Sequence, residues 1–526
     1  MVEIPLYGIY DFSLHSHEVH DNPFRVSLEA TFEHASGVKI ERLPGFYNGD
    51  DEYVIRFSPP LEGQWRGRTA SDDSSLDGIW LEPISVTPKE MRQSRGVVGI
   101  DPGNPLRFAW QDGSPYIYLG FECDWLFAYH QQDPAQCNRH VQLIADRGFN
   151  AVVMNIYAHT GFSAATSRFE GVVEPDTIYG PPAMYAFGGT NEEPDHAQLN
   201  VDFFKDYDGM MHQLHERGIV GHLMIQVQNK HVNWPDRGTP EDDVYWRYIV
   251  ARYQAFGNVI WDVGKESYNL LAETGSHDYT LGRIALIREA DAYGHLVTVH
   301  DSEAGSAGCT SEADAACDFT SDQIHMADIG NYNREALRKQ QLSGRPYLNI
   351  EYGYELGAED LKTYRSRTTA PWLDVLKWTY ALYVSGAYPC YYYSNTSWDL
   401  IKFEPEPEGW RRYQMLSELL ARIPFNEMQP ANVLVERGYC LADPGKAYMV
   451  YLPDGGDAII DLTAVPCPRA ERGQPLPSET PITVNWMDIV SGERRDVEAS
   501  EWRWATRVEN PFDDTSAPVI VTILPA

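Results

Sequence analysis

The feature that most constrains this chain is an alternation. Between about residues 94 and 425, short apolar runs alternate with longer segments of helical period. That is the mark of βα units built on a parallel sheet. Eight strand candidates occur in order: PYIYLGFECDW, FNAVVMNIYAH, GIVGHLMIQ, NVIWDVGKE, HLVTVHDS, FTSDQIHM, RPYLNIEYG and AYPCYYYSN. Helical segments such as CNRHVQLIADRG, DYDGMMHQLHERG, DVYWRYIVARYQAFG and YTLGRIALIREADAYG separate them. Eight such units predict a (β/α)8 barrel. Gly148, Gly218, Gly257 and Gly294 precede strands, where a glycine supplies the left-handed turn that stops a helix.

The flanks read differently. In residues 1–93, FRVSLEATFEH, YVIRFSPP, GQWRGRTAS and GIWLEPISVTP alternate in polarity between Gly, Pro, Asn and Asp, as in a small β-sandwich. Strand-and-turn character returns in residues 426–526 with KAYMVYLP, GDAIIDLT, ITVNWMDI and APVIVTIL. PCPRAERGQPLPSETP (466–481) is a Pro-rich loop there. At 526 residues the chain is too long for one ordinary domain. The expected class is α/β: a TIM barrel (94–425) between an N-terminal (1–93) and a C-terminal (426–526) β-sandwich.

Strand side chains alternate between faces, and one face of a barrel strand points inward. Val152, Met154 and Ile156 oppose Asn155, Tyr157 and His159; Leu223 and Ile225 oppose His222 and Gln226. Val259, Trp261 and Val263 oppose Asp262 and Glu266; Val297 and Val299 oppose Thr298 and His300; Leu348 and Ile350 oppose Asn349 and Glu351. The apolar sets suit packing on helices. The polar sets would point inward, with their last members at the C-terminal rim, where sites in this fold sit. Glu266 and Glu351 close the fourth and seventh strands, each with aromatics beside it. Two such carboxylates are what glycosidic cleavage needs: one protonates the leaving oxygen, the other attacks or stabilises the sugar cation. Asp262 lies deeper and reads as a buried structural carboxylate. Trp125, Tyr157, His159, Trp234, Tyr268, Tyr352, Tyr354 and Trp398 lie at or past strand ends. Aromatic faces stack on sugar rings, and Trp125, Tyr352 and Trp398 are the favoured subsite walls. His159, His300 and His325 are placed to bond sugar hydroxyls.

Other classes are disfavoured. A net charge of −34 argues against nucleic acid and anionic membranes. Seven sparse cysteines without a C-x-x-C read as reduced thiols, and the N-terminus lacks a basic-then-apolar leader. The expected location is the cytoplasm. No run is long enough to span a membrane. HSHEVH (15–20) lies outside the barrel, there is no HExxH or closed Cys/His set, no phosphate loop and no G-x-S-x-G elbow. No metal or cofactor is expected.

WDVGKES resembles the fourth-strand acid/base motif of retaining glycoside hydrolases of clan A, and YLNIEYG the clan's seventh-strand nucleophile motif. The wider likeness is to apiosidase-like barrels. GFYNGDDEYVIRFSPPLEGQW resembles their N-terminal immunoglobulin-like domain. IPFNEMQPANVLV, KAYMVYLPDGGDAIIDL and VNWMDIVSGE resemble their C-terminal sandwich of collagen-binding type. The resemblance implies Glu266 as general acid/base and Glu351 as nucleophile, ~5–5.5 Å apart as retention requires. Lys265 stands where the clan carries an Asn that contacts the sugar 2-hydroxyl. It would donate to the sugar, meet an anionic group or depress the Glu266 pKa. The expected substrate is an imported oligosaccharide or glycoside, cut exo-fashion, with the long insertion 160–200 walling one end of the cleft. A barrel that binds carbohydrate without activity and a metal-dependent barrel hydrolase are the alternatives. The sandwiches would serve as scaffolds, carbohydrate binders or contacts of a homo-oligomer.

Overall fold

The computed structural model describes residues 1–90, 93–161, 178–179, 182–301, 311–326, 328–357, 369–397, 400–402, 406–462, 482–499 and 506–525. Trp398, the Pro-rich loop 466–481 and much of the insertion after the second strand lie outside them.

All eight expected barrel strands form. They are β1 (Gly120–Glu122), β2 (Ala151–Asn155), β3 (Val220–Val227), β4 (Val259–Lys265), β5 in two pieces (Val297–Thr298 and His300–Asp301), β6 (Thr320–Asp322), β7 (Tyr347–Asn349) and β8 (Tyr388–Tyr393). Each pairs in parallel with the next, and β8 pairs with β1. The seam falls in β5, whose first piece pairs with β4 and second with β6. The barrel is thus nearly closed, with Val299 at the break.

An antiparallel sheet of Val98–Ile100, Phe108–Trp110 and Pro115–Tyr116 forms beside the barrel. Phe108 meets Phe319, just before β6, and Tyr388 at the start of β8, which places this sheet under the barrel floor. Arg107 is fully buried there and donates to the carbonyls of Leu106, Gly386, Phe425 and Met428. Gly148 and Gly218 have positive φ, as expected of helix stops. Gly257 does not: a Cβ there would lie 2.6 Å from the Gly96 carbonyl oxygen, so close backbone approach requires the glycine.

In the N-terminal part, a five-stranded sheet (Val2–Pro5, Ile84–Thr87, Gly63–Ser71, Leu28–His34, Lys39–Pro44) and a three-stranded one (Tyr10–His15, Glu52–Phe57, Phe46–Gly49) share a core that includes Phe32, Phe57 and Trp65. The C-terminal part holds a six-stranded antiparallel sheet and a two-stranded one, with Tyr448, Val484 and Trp486 in their core. Arg56 of the N-terminal part and Arg252 of a barrel helix both pair with Asp208 of the preceding helix (Val201–Glu216). Among the described residues no helix is long and apolar enough to cross a membrane.

Candidate active site

The end of β4 departs from plain alternation. Asp262 Oδ1 accepts from the backbone N–H of Gly264 (3.0 Å) and of His300 (3.1 Å), and its Oδ2 lies 3.0 Å from His222 Nε2. Asp262 is therefore a buried structural carboxylate, as expected. A side chain that captures the N–H two residues on imposes a local turn. Beyond it, the Lys265 ammonium reaches into the mouth, to Asp124. Glu266 then takes φ 54° and ψ 48°, a left-handed conformation, as the residue just before helix Ser267–Thr274. Left-handed backbone is strained for a residue with a Cβ, and such strain gathers at functional sites. The half-buried Glu266 carboxylate accepts from Asn269 Nδ2 through one oxygen, at 3.0 Å.

Glu351 follows β7 and is 3% exposed. Its Oε1 accepts from Gln323 Nε2 at 2.7 Å and from Tyr354 Oη at 2.6 Å. His325 Nε2 lies 3.5 Å from the same oxygen, and His300 Nε2 4.0 Å from Oε2. Gln323 is held in turn by His300 Nε2 (3.1 Å) and Tyr268 Oη (3.3 Å), both donating to its carbonyl. Burial would raise the Glu351 pKa, but the His325 contact, the Lys265 charge and His300 overcome it and bring it down to about 2. Oε2 is buried with no partner among the described residues.

A second polar cluster lies at the end of β1, two strands round from β7. Asp124 receives the Lys265 ammonium on both oxygens, at 2.7 and 2.9 Å, with Lys230 Nζ 4.0 Å away. Burial opposes the Asp124 charge, yet the two lysines hold its pKa below the ordinary range. Glu122 is fully buried, and burial together with the Asp124 charge pushes its pKa well up. Its Oε1 accepts from the Asp124 backbone N–H at 3.0 Å and its Oε2 from Ser397 Oγ at 2.5 Å. The Lys265 pKa is raised: burial opposes its charge, and Asp124, Glu122, Glu351 and Glu266 together outweigh that.

The strand-end reading thus brings Glu266, Lys265, Glu351, His300 and His325 together. Other expectations fare differently. Tyr352 is a correction: its ring is fully buried, its hydroxyl bonds Thr379 on helix Trp372–Val384 at 2.6 Å, and it offers no face to the mouth. One residue past an inward Glu351, the pleat turns it to the helices. Tyr157 lies among Phe127, Phe187, Phe203 and Trp234, because β2 ends at Asn155 and alternation with it. Gln226, inside β3, accepts from Tyr279 Oη of helix Asp278–Ala290. His159 is buried against Tyr185. Trp125 is fully buried beside Phe127, with Lys230 over its ring and its Nε1 without a hydrogen-bond partner among the described residues. Trp398 is outside the described residues.

Sequence reasoning did not single out Gln323, Asp124 or Glu122. Gln323 sits one residue past β6, and Asp124 two past β1, so the strand-end rule applied to every strand would have reached both. The H-x-H segment forms a separate cluster of Glu18, His20 and Asp73 in the N-terminal part. There His20 and Ser16 are bonded to Asp73, and Glu18 to Ser74.

A family model described as "Apiosidase-like, catalytic domain" matches residues 105–436. A second, a domain of unknown function (DUF5060), matches residues 3–72. No curated protein matches. Among solved structures, a candidate glycoside hydrolase from Bacteroides vulgatus ATCC 8482 superposes with a TM-score of 0.79 at 20% identity, covering 100% of both chains. A family 5 glycoside hydrolase from the same organism reaches 0.60 at 15% identity, over 83% of this chain and 95% of its own. Another protein, described as a glycoside hydrolase, reaches 0.61 at 13% identity, over 83% and 98%. At such identities the likeness concerns the fold.

Proposed function

Because the chain belongs to the apiosidase-like family of glycosidases, we propose that it is a retaining, exo-acting glycoside hydrolase that works by double displacement. Glu266 protonates the leaving oxygen while Glu351 Oε2 attacks the anomeric carbon. Water, deprotonated by Glu266, then releases the sugar from Glu351. The observation that carries this reading is the state of Glu351. It is buried, with Oε1 held by two donors and Oε2 without a hydrogen bond among the described residues, and the charges around it hold its pKa down, to about 2. A nucleophile needs that combination: fixed orientation and one free oxygen. Glu266 is half-buried and touches one amide, which leaves it accessible to a leaving group. Lys265 feels the charge of both carboxylates, which supports a shared mouth.

Exo action draws support from the backbone of the insertion. Its segment Ile178–Tyr179 pairs with Leu400–Ile401, beyond β8. In the sheet order β2–β1–β8, that pairing spans the rim above β1 and favours a mouth closed on that side. Buried free cysteines at positions 123, 137, 317, 390 and 440 support a reducing compartment and an imported oligosaccharide or glycoside. The domain division expected above, with the sandwiches flanking the barrel as scaffolds, goes with this reading.

The test is a panel of aryl glycosides, pyranosides and furanosides (an apioside among them), both anomers, with wild type and Glu351→Ala. Release by wild type, loss in the variant and azide rescue to a glycosyl azide are expected. Undiminished release by Glu351→Ala would remove Glu351 from the mechanism.

A further inference from the structure

The mouth holds a buried ammonium and a buried carboxylate oxygen that do not meet. Lys265 is 4% exposed and Glu351 3%. The ammonium feels the Glu351 charge, and Glu351 feels the ammonium. Yet Glu351 Oε2 has no hydrogen-bond partner among the described residues, with His300 Nε2 4.0 Å away. Two opposite charges in one desolvated site attract strongly, and a close ion pair is the default outcome. The reason it does not form is visible: Lys265 Nζ lies 2.7 and 2.9 Å from the two oxygens of Asp124. Asp124 is itself fixed, with its backbone N–H donating to Glu122 Oε1 at 3.0 Å. Glu122 is anchored on Ser397.

We propose that Asp124 is a positioning residue that sequesters the Lys265 ammonium, keeping Glu351 Oε2 free to attack. This rests on the reading of Glu351 as nucleophile. The charged and titratable groups around the ammonium are Asp124, Glu122, Glu351 and Glu266, with Tyr392, whose ring centroid is 5.7 Å away. Lys230 Nζ lies 4.0 Å from Asp124 Oδ2. Of the carboxylates, Asp124 alone holds the ammonium within hydrogen-bond distance among the described residues. With Asp124 neutralised, the ammonium turns to Glu351, and the freed pair is inert.

The experiment reads the glycosylation step alone. A dinitrophenyl fluoroglycoside of the sugar that wild type releases needs no acid: the Glu351 Oε2–C1 bond forms, the C1–aryl oxygen bond breaks, and dinitrophenolate leaves with the electron pair. Labelling rates, and the labelled residue by mass spectrometry, are measured for wild type, Asp124→Asn, Lys265→Met and the double variant. A charge-assisted bond of the freed ammonium to Glu351 slows labelling of Asp124→Asn roughly 10- to 100-fold. Adding Lys265→Met then recovers most of the loss, a rescue that a merely structural Asp124 would not show. On the Lys265→Met background, which buries no unpaired cation, Asp124→Asn has nothing to release and changes the rate less than about threefold. An equal loss on both backgrounds, or wild-type labelling by folded Asp124→Asn, overturns the proposal. Labelling of wild type at another residue sinks the nucleophile reading, and this inference with it, whereas labelling at Glu351 without the rescue sinks this inference alone.

Discussion

Glu266 sits at φ 54°, the one non-glycine residue with positive φ among the described residues of the barrel. Its strain and its proposed chemistry can be separated. Glu266→Gly and Glu266→Ala both remove the carboxyl, but only glycine accepts the left-handed backbone freely. Thermal denaturation should find the glycine variant more stable than the alanine one by about 1 kcal/mol, with both deficient in proton donation. Glu351 gives a second test. Its pKa lies below that of an unfolded glutamate, so its ionised form adds stability that is full above roughly pH 4.5 and is lost as pH falls through about 2. His325 is one cause of that depression. His325→Ala should move the acid limb of kcat/KM to higher pH, and an unmoved limb would remove His325 from the control of Glu351. The two glutamates were legible in the sequence because position at a strand end is a local property. The partner of Lys265 was not: Asp124 lies 141 residues away, and only closure of the barrel joins them.

Among elements, the eight strands were legible because a parallel barrel strand is a short apolar run between helical periods. Their ends were harder. Alternation was carried past the last ladder pair of β2, to Tyr157, where the chain had already turned. The break of β5 at Val299 leaves no trace in HLVTVHDS, which reads as one strand. Helix Glu408–Leu420 shows another device that sequence conceals. The Glu355 carboxylate accepts from the Gly409 N–H (3.2 Å) in its first turn and from Tyr391 Oη (2.6 Å). A Cβ at Gly409 would meet the Tyr391 hydroxyl at 1.9 Å. Burial outweighs these bonds and lifts the Glu355 pKa to about 7. The folded state therefore binds this proton more tightly than the unfolded one. Stability from it is full below roughly pH 4.5 and declines as pH rises through about 7. Glu355→Gln should flatten the fall in Tm between those values, and an unchanged slope would show that Glu355 does not titrate there.

At the scale of the whole molecule, the three parts are joined by buried charge as well as apolar contact. Arg56 and Arg252 share Asp208, with Arg56 also bonded to Asp11 and both guanidiniums over the Phe46 ring. Asp208→Ala leaves two buried cations short of their common anion and should cost about 3–5 kcal/mol in denaturant unfolding; a loss under 1 kcal/mol would show that Asp11 and the rings suffice. Neither arginine was singled out from the sequence, since an isolated charge in a strand, as at Arg56, or near the end of a helix, as at Arg252, reads as solvent-facing. The floor of the barrel carries a further consequence. Arg107 spends its guanidinium on backbone carbonyls, two of which, Phe425 and Met428, come from the segment leading into the C-terminal sheet. Those acceptors exist only while that segment is attached. A gene cut at residue 425 would keep the Leu106, Gly386 and Phe425 carbonyls but lose that of Met428, so in recombination or engineering this barrel is better carried with the segment that follows its last helix.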